Sequence, residues 1–131
     1  MSGGKDPFDT STVLVRDVAV VSLIGGLGAH TVPVCRTAVE EALASAPVGL
    51  VLDLRRTVYA PESVAVLGML RRYLARRGTP LWLAGAAPRL QGELRRTGVL
   101  DCYQVTPTVA AAIRAAALVV PDDGRRRGVI G

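Results

Sequence analysis

Two short, nearly unbroken apolar runs constrain the fold of this chain more than any other feature of its sequence. The first is GLVLDL (49–54) and the second is PLWLAG (80–85). Runs of this length without polar alternation are typical of β-strands that are covered on both faces, as in a parallel sheet. An amphipathic helical pattern lies between them and is long enough for a right-handed crossover. The sequence therefore predicts an α/β sheet with buried central strands.

The rest of the chain extends this pattern into a complete order of elements. TVLVRDVAVVSLIG (12–25) has two apolar runs around Arg16 and Asp17, which indicates a hairpin or a turn between two strands. Helical patterns cover 31–46, 88–98 and 106–120, and CYQV (102–105) is a brief strand. The predicted order is β-β-α-β-α-β-α-β-α. This order describes a small mixed sheet, mostly parallel with an antiparallel edge, with helices packed on it.

Length and hydropathy favour one domain in the cytoplasm. The 131 residues are one domain's worth. Residues 1–11 and 121–131 are polar and are expected to be flexible tails on either side of a domain at 12–120. Half of the residues are hydrophobic, yet no apolar run reaches the ~18 residues that cross a bilayer as a helix. The N-terminus also lacks a signal-peptide pattern, so we expect no transmembrane segment and a cytoplasmic location.

The net charge of +5 does not by itself predict a nucleic-acid partner. Fifteen of the sixteen basic residues are arginine, and Lys5 is the only lysine. A diffuse arginine-rich surface attracts polyanions without reading sequence. Only 4% of the residues are aromatic, too few for a base-stacking platform. No specific nucleic-acid function is expected.

Patterns for catalysis and metal binding are missing from the sequence. Cys35 and Cys102 have no CxxC spacing and are expected to be buried small hydrophobic side chains that form neither a disulfide nor a metal pair. His30 is the only histidine, so neither a zinc site nor a nucleophile–histidine pair is expected. Asp53 lies in the middle of a predicted strand, where it is either exposed at an edge or paired with a neighbouring cation. The chain is therefore predicted to be no enzyme and to hold no cofactor.

The glycine-rich stretch GGLGAH (25–30) follows a strand and precedes a helix, as phosphate-binding loops do. It lacks the third glycine of the dinucleotide fingerprint, because that position holds Thr31, and no P-loop lysine follows. A tight turn is the favoured interpretation. A cradle for a nucleotide or another small ligand is the alternative.

Three stretches together resemble the STAS domain, the family of bacterial anti-sigma factor antagonists. VVSLIGGLGAHTVPVCRTAVEEAL (20–43) is similar to the family's strand, turn and first helix. GLVLDLRRTVYAPESVAVLGML (49–70) resembles the family core with its L-D-L and D-S-S-G motifs, and GTPLWLAGAAPRLQGELRRTGVLDCYQV (78–105) resembles the later strand and helix. The resemblance covers about residues 12–118. It implies a STAS fold, in agreement with the order of elements predicted above.

The family's phosphorylation site is where this sequence departs from the pattern. In the family, a partner kinase that is also the anti-sigma factor phosphorylates a serine at the N-terminus of the second helix. Glu62 occupies that position here. The aspartate before it is Pro61, and the glycine two places after it is Val64. Ser63 matches the second serine of the motif, which is not the usual acceptor, and is a minor alternative.

Two interpretations of Glu62 remain open. Local physics makes it a first-turn carboxylate that the helix dipole stabilises by about 0.3–1 kcal/mol. The resemblance makes it a weak mimic of the phosphorylated state, since it carries one negative charge where a phosphate carries about −1.5 to −2. In the early turn, Gly26 and Gly28 replace the family's Glu and Asp. Partner switching by phosphorylation would then not use the usual serine.

The resemblance implies a bacterial regulatory module that binds an anti-sigma factor or a related ATPase-fold kinase. The partner-binding residues that it implies are Gly26, Leu27, Gly28, His30, Tyr59, Pro61, Glu62, Ser63, Val64, Leu67 and Arg71. Leu27, Val64 and Leu67 are expected to supply apolar contact where they are exposed, and Arg71 and Arg72 to steer association. The alternatives are a STAS-like subunit of a lipid-trafficking transport complex and a small-ligand or nucleotide-binding domain. A homo-oligomer is compatible with each.

Overall fold

The computed structural model of the protein describes residues 8–118. Its strands are β1 (Asp9–Val15), β2 (Val18–Gly26), β3 (Gly49–Asp53), β4 (Thr57–Val58), β5 (Leu81–Ala84) and β6 (Gln104–Thr106). Its helices are α1 (Val32–Leu43), α2 (Ser63–Arg76), α3 (Pro88–Arg96) and α4, which begins at residue 109 and continues to residue 118. The predicted order of elements is confirmed, with the short strand β4 added after β3.

The strands form one mixed sheet in the order β1-β2-β3-β5-β6. β1 and β2 are antiparallel, whereas β2, β3, β5 and β6 are parallel. Each crossover moves one place further along the sheet, so right-handed connections place α1, α2 and α3 on the same face. α4 packs on the other face. The sheet has no point at which the strand order reverses, which is where open α/β sheets usually bind nucleotides.

The opening hairpin is confirmed at the predicted turn. Arg16 and Asp17 have φ values of 54° and 66°, as the two-residue turns that favour hairpins require. β1 begins at Asp9, which pairs with Ile24 of β2. Residues 9–11, predicted to be part of the N-terminal tail, therefore belong to the sheet. The predicted C-terminal tail lies outside the described residues.

The central strands are buried on both faces, as their apolar runs predicted. All five residues of β3 are buried. Leu50 and Leu52 face the larger core beneath α1, α2 and α3. Val51 faces the smaller core, where it meets Trp82 and the Ala112 side of α4. Among the described residues, no helix is both long and apolar enough to cross a membrane.

The short strand β4 positions the candidate site. It pairs in parallel with Gly25 and Gly26 at the end of β2. The Thr57 hydroxyl donates a 2.6 Å hydrogen bond to the Leu23 carbonyl, which fixes β4 against β2. The segment that leads into α2 is therefore held beside the turn that follows β2. A strand of two residues has no hydropathy period, so the sequence could not reveal it.

Candidate functional site

The start of α2 is fixed by the buried hydroxyl group of Ser63. Its Oγ donates a 2.7 Å hydrogen bond to the Leu27 carbonyl and accepts a 2.9 Å hydrogen bond from the Ala60 N–H. The residue is 0% exposed. The hydroxyl therefore joins the entry of α2 to the turn after β2, and no face of it is open to a kinase. The interpretation of Ser63 as a displaced acceptor disagrees with this arrangement.

Glu62 occupies the N-cap position of α2, immediately before the first helical residue. Its backbone carbonyl accepts the Val66 N–H at 3.0 Å, but its side chain makes no capping hydrogen bond. The residue is exposed. The interpretation of Glu62 as a helix cap therefore holds for its backbone only. Its carboxylate is an exposed negative charge at the positive end of a helix dipole.

Gly28 brings the side chains of His30 and Glu62 close together. A Cβ added at Gly28 would lie 3.2 Å from His30 Nδ1 and 3.3 Å from Glu62 Oε1. His30 and Glu62 are both exposed, whereas Gly28 is buried beneath them. The turn after β2 and the start of α2 thus share one surface, as the resemblance implied.

Two backbone amides of the glycine-rich turn, those of Gly25 and Leu27, donate hydrogen bonds within the protein. Gly25 N–H donates to the Arg56 carbonyl at 3.0 Å, and Leu27 N–H donates to the Val58 carbonyl at 3.1 Å. Thr31 N–H donates to the Gly28 carbonyl at 3.0 Å. A phosphate cradle needs free amides that point at the ligand. The Gly25 and Leu27 amides are therefore not free to bind a phosphate, and they tie the turn to the segment at 56–58, which favours the interpretation as a tight turn.

The predicted partner-binding residues differ widely in exposure. His30, Pro61 and Glu62 are exposed, and Gly26, Tyr59, Val64 and Arg71 are half-buried. The remaining four, Leu27, Gly28, Ser63 and Leu67, are buried. The expectation of apolar contact from Leu27 and Leu67 is wrong, because both side chains are 0% exposed in the larger core. Val58 lies on β4 and is 61% exposed, but no sequence pattern marked it as part of the site.

Arginine residues lie at the same edge of the sheet as this surface, and one of them, on α3, contacts it. The Arg89 guanidinium carbon lies 4.7 Å from the centroid of the Tyr59 ring, a cation–π contact. Arg55 and Arg56 follow β3 and are exposed. These arginines lie at the carboxyl edge of the parallel strands, where α2 and α3 begin. Arg89 is thirty positions from Tyr59 in sequence, so no local pattern could have assigned it to the site.

Asp53, also at this edge, is a structural anchor for Arg55. Its carboxylate accepts hydrogen bonds from Arg55 Nε (2.9 Å), the second Arg55 guanidinium nitrogen (2.8 Å), the Arg55 N–H (3.1 Å) and Ser22 Oγ (3.0 Å). Gly85, with a φ of 72°, leaves the space that the Arg55 side chain occupies. The side-chain hydrogen bond from Arg55 lowers the pKa of Asp53 below its usual value, although burial opposes it. Of the two predicted roles for Asp53, pairing with a neighbouring cation is confirmed.

Replacing Asp53 with asparagine is expected to lower the free energy of unfolding by about 1–3 kcal/mol at neutral pH, because charge-assisted hydrogen bonds are lost. Since folding depresses the Asp53 pKa, this stabilisation is present above the unfolded value of about 3.9 and disappears as the pH falls through the folded value. Urea denaturation of wild type and Asp53→Asn at neutral and acid pH measures it. A gap between the two proteins that stays constant into strong acid would contradict this assignment.

Groups that could support redox or metal chemistry are sparse. Neither Cys35 nor Cys102 forms a disulfide. Cys35 is buried as predicted, but the predicted burial of Cys102 is wrong, because Cys102 lies in the short turn before β6 and is exposed. Burial raises the pKa of the Cys35 thiol above its usual value, which leaves it a neutral core side chain. Within residues 8–118, no group of three or more His, Cys, Asp or Glu side chains is placed to hold a metal ion.

The similarities of this chain to known proteins lie in structure. No protein-family model matches the chain, and no curated protein matches its sequence. An anti-sigma factor antagonist from Mycobacterium paratuberculosis superposes with a TM-score of 0.73 at 22% identity, over 86% of this chain and 97% of that one. The Bacillus cell fate determinant SpoIIAA, in its phosphorylated form, superposes with a TM-score of 0.60 at 17% identity, over 83% and 99%.

A transporter domain has the same fold. The STAS domain of a SulP transporter from Vibrio cholerae superposes with a TM-score of 0.63 at 20% identity, over 85% of this chain and 89% of that one. The chain therefore has the STAS fold, which anti-sigma factor antagonists and transporter STAS domains share. At these identities the similarity establishes the fold, and the activities of these proteins remain their own.

Proposed function

We propose that the protein is a non-enzymatic regulatory module of the anti-sigma factor antagonist type. Its partner would be an anti-sigma factor or a related ATPase-fold kinase. The STAS fold that the chain shares with anti-sigma factor antagonists supports this class. One observation carries the site: the exposed carboxylate of Glu62 at the start of α2, at the position where the resemblance implies a phosphoserine.

The proposed binding surface, here named the α2 rim, consists of His30, Val58, Tyr59, Glu62 and Val64. It offers a histidine and a carboxylate that meet above Gly28, an exposed valine on β4 and a half-buried tyrosine before α2. Protein interfaces commonly combine an apolar or aromatic centre with polar groups at its edge. Arg89 holds the Tyr59 ring from one side, which limits the conformational freedom that binding would otherwise remove.

The backbone beneath the α2 rim is held by internal hydrogen bonds. Ser63 ties the start of α2 to Leu27, and Thr57 ties β4 to β2. A surface of this kind is pre-organised, so little ordering is required when a partner binds. Glu62 supplies a permanent single charge, whereas a phosphoserine is added and removed. We propose that Glu62 contacts the partner directly and that the module acts without a phosphorylation switch at this position.

A transport subunit is the second candidate, since a transporter STAS domain has the same fold. The partner would then be a membrane transport ATPase, and the α2 rim need not take part. No observation at the site favours a nucleotide, since the Gly25 and Leu27 amides donate to the carbonyls of Arg56 and Val58. The two remaining candidate functions predict different partners, which affinity capture with the protein would distinguish.

Affinity capture from a lysate of the source organism tests the proposal. Tagged wild type is compared with Glu62→Ala and with the matched control Glu41→Ala. Glu41 is also an exposed glutamate, but it lies near the end of α1, at the opposite edge of the sheet. We expect wild type and Glu41→Ala to enrich an ATPase-fold kinase or anti-sigma factor equally. Glu62→Ala should recover at least about fivefold less of this partner, which corresponds to a loss of roughly 1 kcal/mol in binding free energy.

Three other outcomes would count against the proposal. Enrichment of a transport ATPase would replace it with the second candidate. Recovery of neither class above a control bait would remove the regulatory function and leave the fold. Equal recovery by Glu62→Ala and wild type would place the binding surface elsewhere on the protein.

A further inference from the structure

β1 lies at one edge of the sheet, and among the described strands only β2 pairs with it. Its register runs without a bulge from Asp9, opposite Ile24, to Val15, opposite Val18. The strand contains no proline, and no charged residue follows Asp9 within it. Edge strands are usually protected from pairing with another chain by charges, proline or bulges. The outer side of β1 is therefore open to a further β-strand.

The hairpin turn determines which backbone groups of β1 point away from β2. In a two-residue hairpin, the residues on either side of the turn exchange both of their hydrogen bonds, and such pairs then alternate along the strands. Val15 and Val18 form the first of these pairs. The N–H and C=O groups of Thr10, Thr12 and Leu14 therefore point outward.

The N–H group of Thr10 agrees with this alternation. It donates a 2.8 Å hydrogen bond to the carboxylate of Asp9 and is thus already used. The remaining outward N–H groups of the strand are those of Thr12 and Leu14. Because these groups are spaced as in a sheet, a further β-strand is the partner whose own spacing matches them.

Three aliphatic side chains of β1 are exposed. Val13 is 53% exposed, Leu14 is 51% exposed and Val15 is 38% exposed. Val13 lies opposite Val20, which belongs to the smaller core beneath α4, so Val13 and Val15 are on the α4 face of the sheet. α4 covers Val20 and Trp82 but leaves these two valines open. A strand that joined β1 would cover apolar surface as well as bind the outward amides.

A second copy of β1 fits this edge when the two strands run antiparallel about a two-fold axis at Val13. Thr12 of one copy then lies opposite Leu14 of the other, and each such pair exchanges both of its hydrogen bonds, which uses the outward amides of both copies. Val13 lies opposite its own copy at a position without hydrogen bonds, where side chains approach most closely, and Val15 lies beside it. The paired segment 11–15 contains no charged residue. The edge is therefore complementary to itself.

A two-fold axis at Thr12 fits less well. It would place the Asp9 carboxylate opposite the apolar side chain of Val15. It would also require the Thr10 N–H for a bond between the copies, although Asp9 already accepts that hydrogen bond. The strand therefore favours the axis at Val13.

We propose that the protein forms a symmetric homodimer in which the two β1 strands pair antiparallel about Val13 and join the two sheets into one. The opposite edge of the sheet is β6, which has only three residues, so association stops at two copies. Two short strands bury less than the ~1,600 Å² of a standard interface, which predicts a weak, reversible dimer. Its dissociation constant is expected to be on the order of 10–100 µM. No residue of β1 belongs to the α2 rim, so the dimer does not depend on the proposed function.

Sedimentation equilibrium of the full-length protein, from about 1 µM to about 500 µM, tests the proposal. We expect a reversible monomer–dimer equilibrium for wild type. Val13→Lys and Val13→Glu each place like charges opposite one another at the axis, and should weaken dimerisation at least about tenfold. An equimolar mixture of the two variants places opposite charges there and should restore the dimer. Ala75→Lys, at an exposed position on α2 between α1 and α3, should dimerise as wild type does.

A backbone variant tests the pairing independently of side-chain charge. Thr12→Pro removes an outward N–H group without removing a hydrogen bond to β2, and should also weaken dimerisation at least about tenfold. In concentrated wild type, the Thr12 and Leu14 amides should exchange with solvent several-fold more slowly than in Val13→Lys, as measured by NMR. The Ser11 amide, which donates to β2, should exchange alike in both proteins.

Four results would overturn the proposal. Wild type that stays monomeric at about 500 µM would exclude the dimer, and slow exchange of the outward amides in that monomer would show that another segment of the chain covers β1. Dimerisation that Val13→Lys and Thr12→Pro leave unchanged would place the interface elsewhere. A mixture of Val13→Lys and Val13→Glu that stays monomeric would exclude an axis at Val13. Growth beyond the dimer would exclude a closed, symmetric pair.

Discussion

Replacement of Ser63 with aspartate is expected to lower the free energy of unfolding by about 3–5 kcal/mol, the range for an uncompensated buried charge. The Ser63 side chain is 0% exposed and donates a hydrogen bond to the Leu27 carbonyl. An aspartate carboxylate cannot donate, and it would place a negative charge against that carbonyl oxygen. The turn after β2 would separate from the start of α2. Urea denaturation followed by circular dichroism measures the loss.

Two companion variants separate charge from hydrogen bonding at this position. Ser63→Ala removes the same hydrogen bonds without adding a charge, and is expected to lower the free energy of unfolding by about 1–3 kcal/mol. Glu62→Ser changes the neighbouring exposed residue and should stay within about 0.5 kcal/mol of wild type. Wild-type stability of Ser63→Asp would show that Ser63 opens to solvent, and would restore it as a candidate phosphorylation site.

Replacement of Leu67 with alanine is expected to lower the free energy of unfolding by about 2–5 kcal/mol, as for other buried leucines. The Leu67 side chain is 0% exposed and belongs to the larger core beneath the helices. Its removal leaves a cavity between α2 and the sheet. The neighbouring side chains are closely packed and cannot fill this cavity unless the helix moves. Denaturant unfolding measures the change.

Val58→Ala is the matched control for this experiment. Val58 is also an aliphatic residue near the proposed partner surface, but it is 61% exposed. Its replacement should change the free energy of unfolding by no more than about 0.5 kcal/mol and should weaken partner binding. Similar stability losses for the two variants would contradict the division into core and rim. A loss of partner binding by folded Leu67→Ala alone would do the same.

The larger elements of the fold could be predicted because their sequences carry a regular hydropathy period or a run of apolar residues. The nearly unbroken apolar run of β3 predicted its burial on both faces, and Arg16 and Asp17 marked the hairpin. The first residues of β1 are polar, so hydropathy gave no sign that Asp9 pairs with Ile24. β4 pairs through two residues only, too few for any periodic signal. Both misses concern backbone pairing, which side-chain patterns do not report.

The position of the candidate site could be predicted from the sequence, but which of its side chains are exposed could not. Pro61 and the helical pattern after it placed Glu62 at the start of α2, which the structure bears out. Leu27 lies in a glycine-rich turn and looked accessible, yet its side chain points into the core because β4 and Ser63 hold its backbone. Arg89 reaches Tyr59 from another helix. Burial and long-range contact of this kind depend on tertiary packing, which a single sequence does not specify.

The affinity of the recovered partner for purified wild type and Glu62→Ala tests the central claim most directly. Isothermal titration calorimetry measures the dissociation constant for the anti-sigma factor or ATPase-fold kinase, and Glu41→Ala serves as the control. We predict that Glu62→Ala binds at least about fivefold more weakly than wild type, and that Glu41→Ala binds as wild type does. Equal or tighter binding by Glu62→Ala would contradict the claim that this carboxylate contacts the partner.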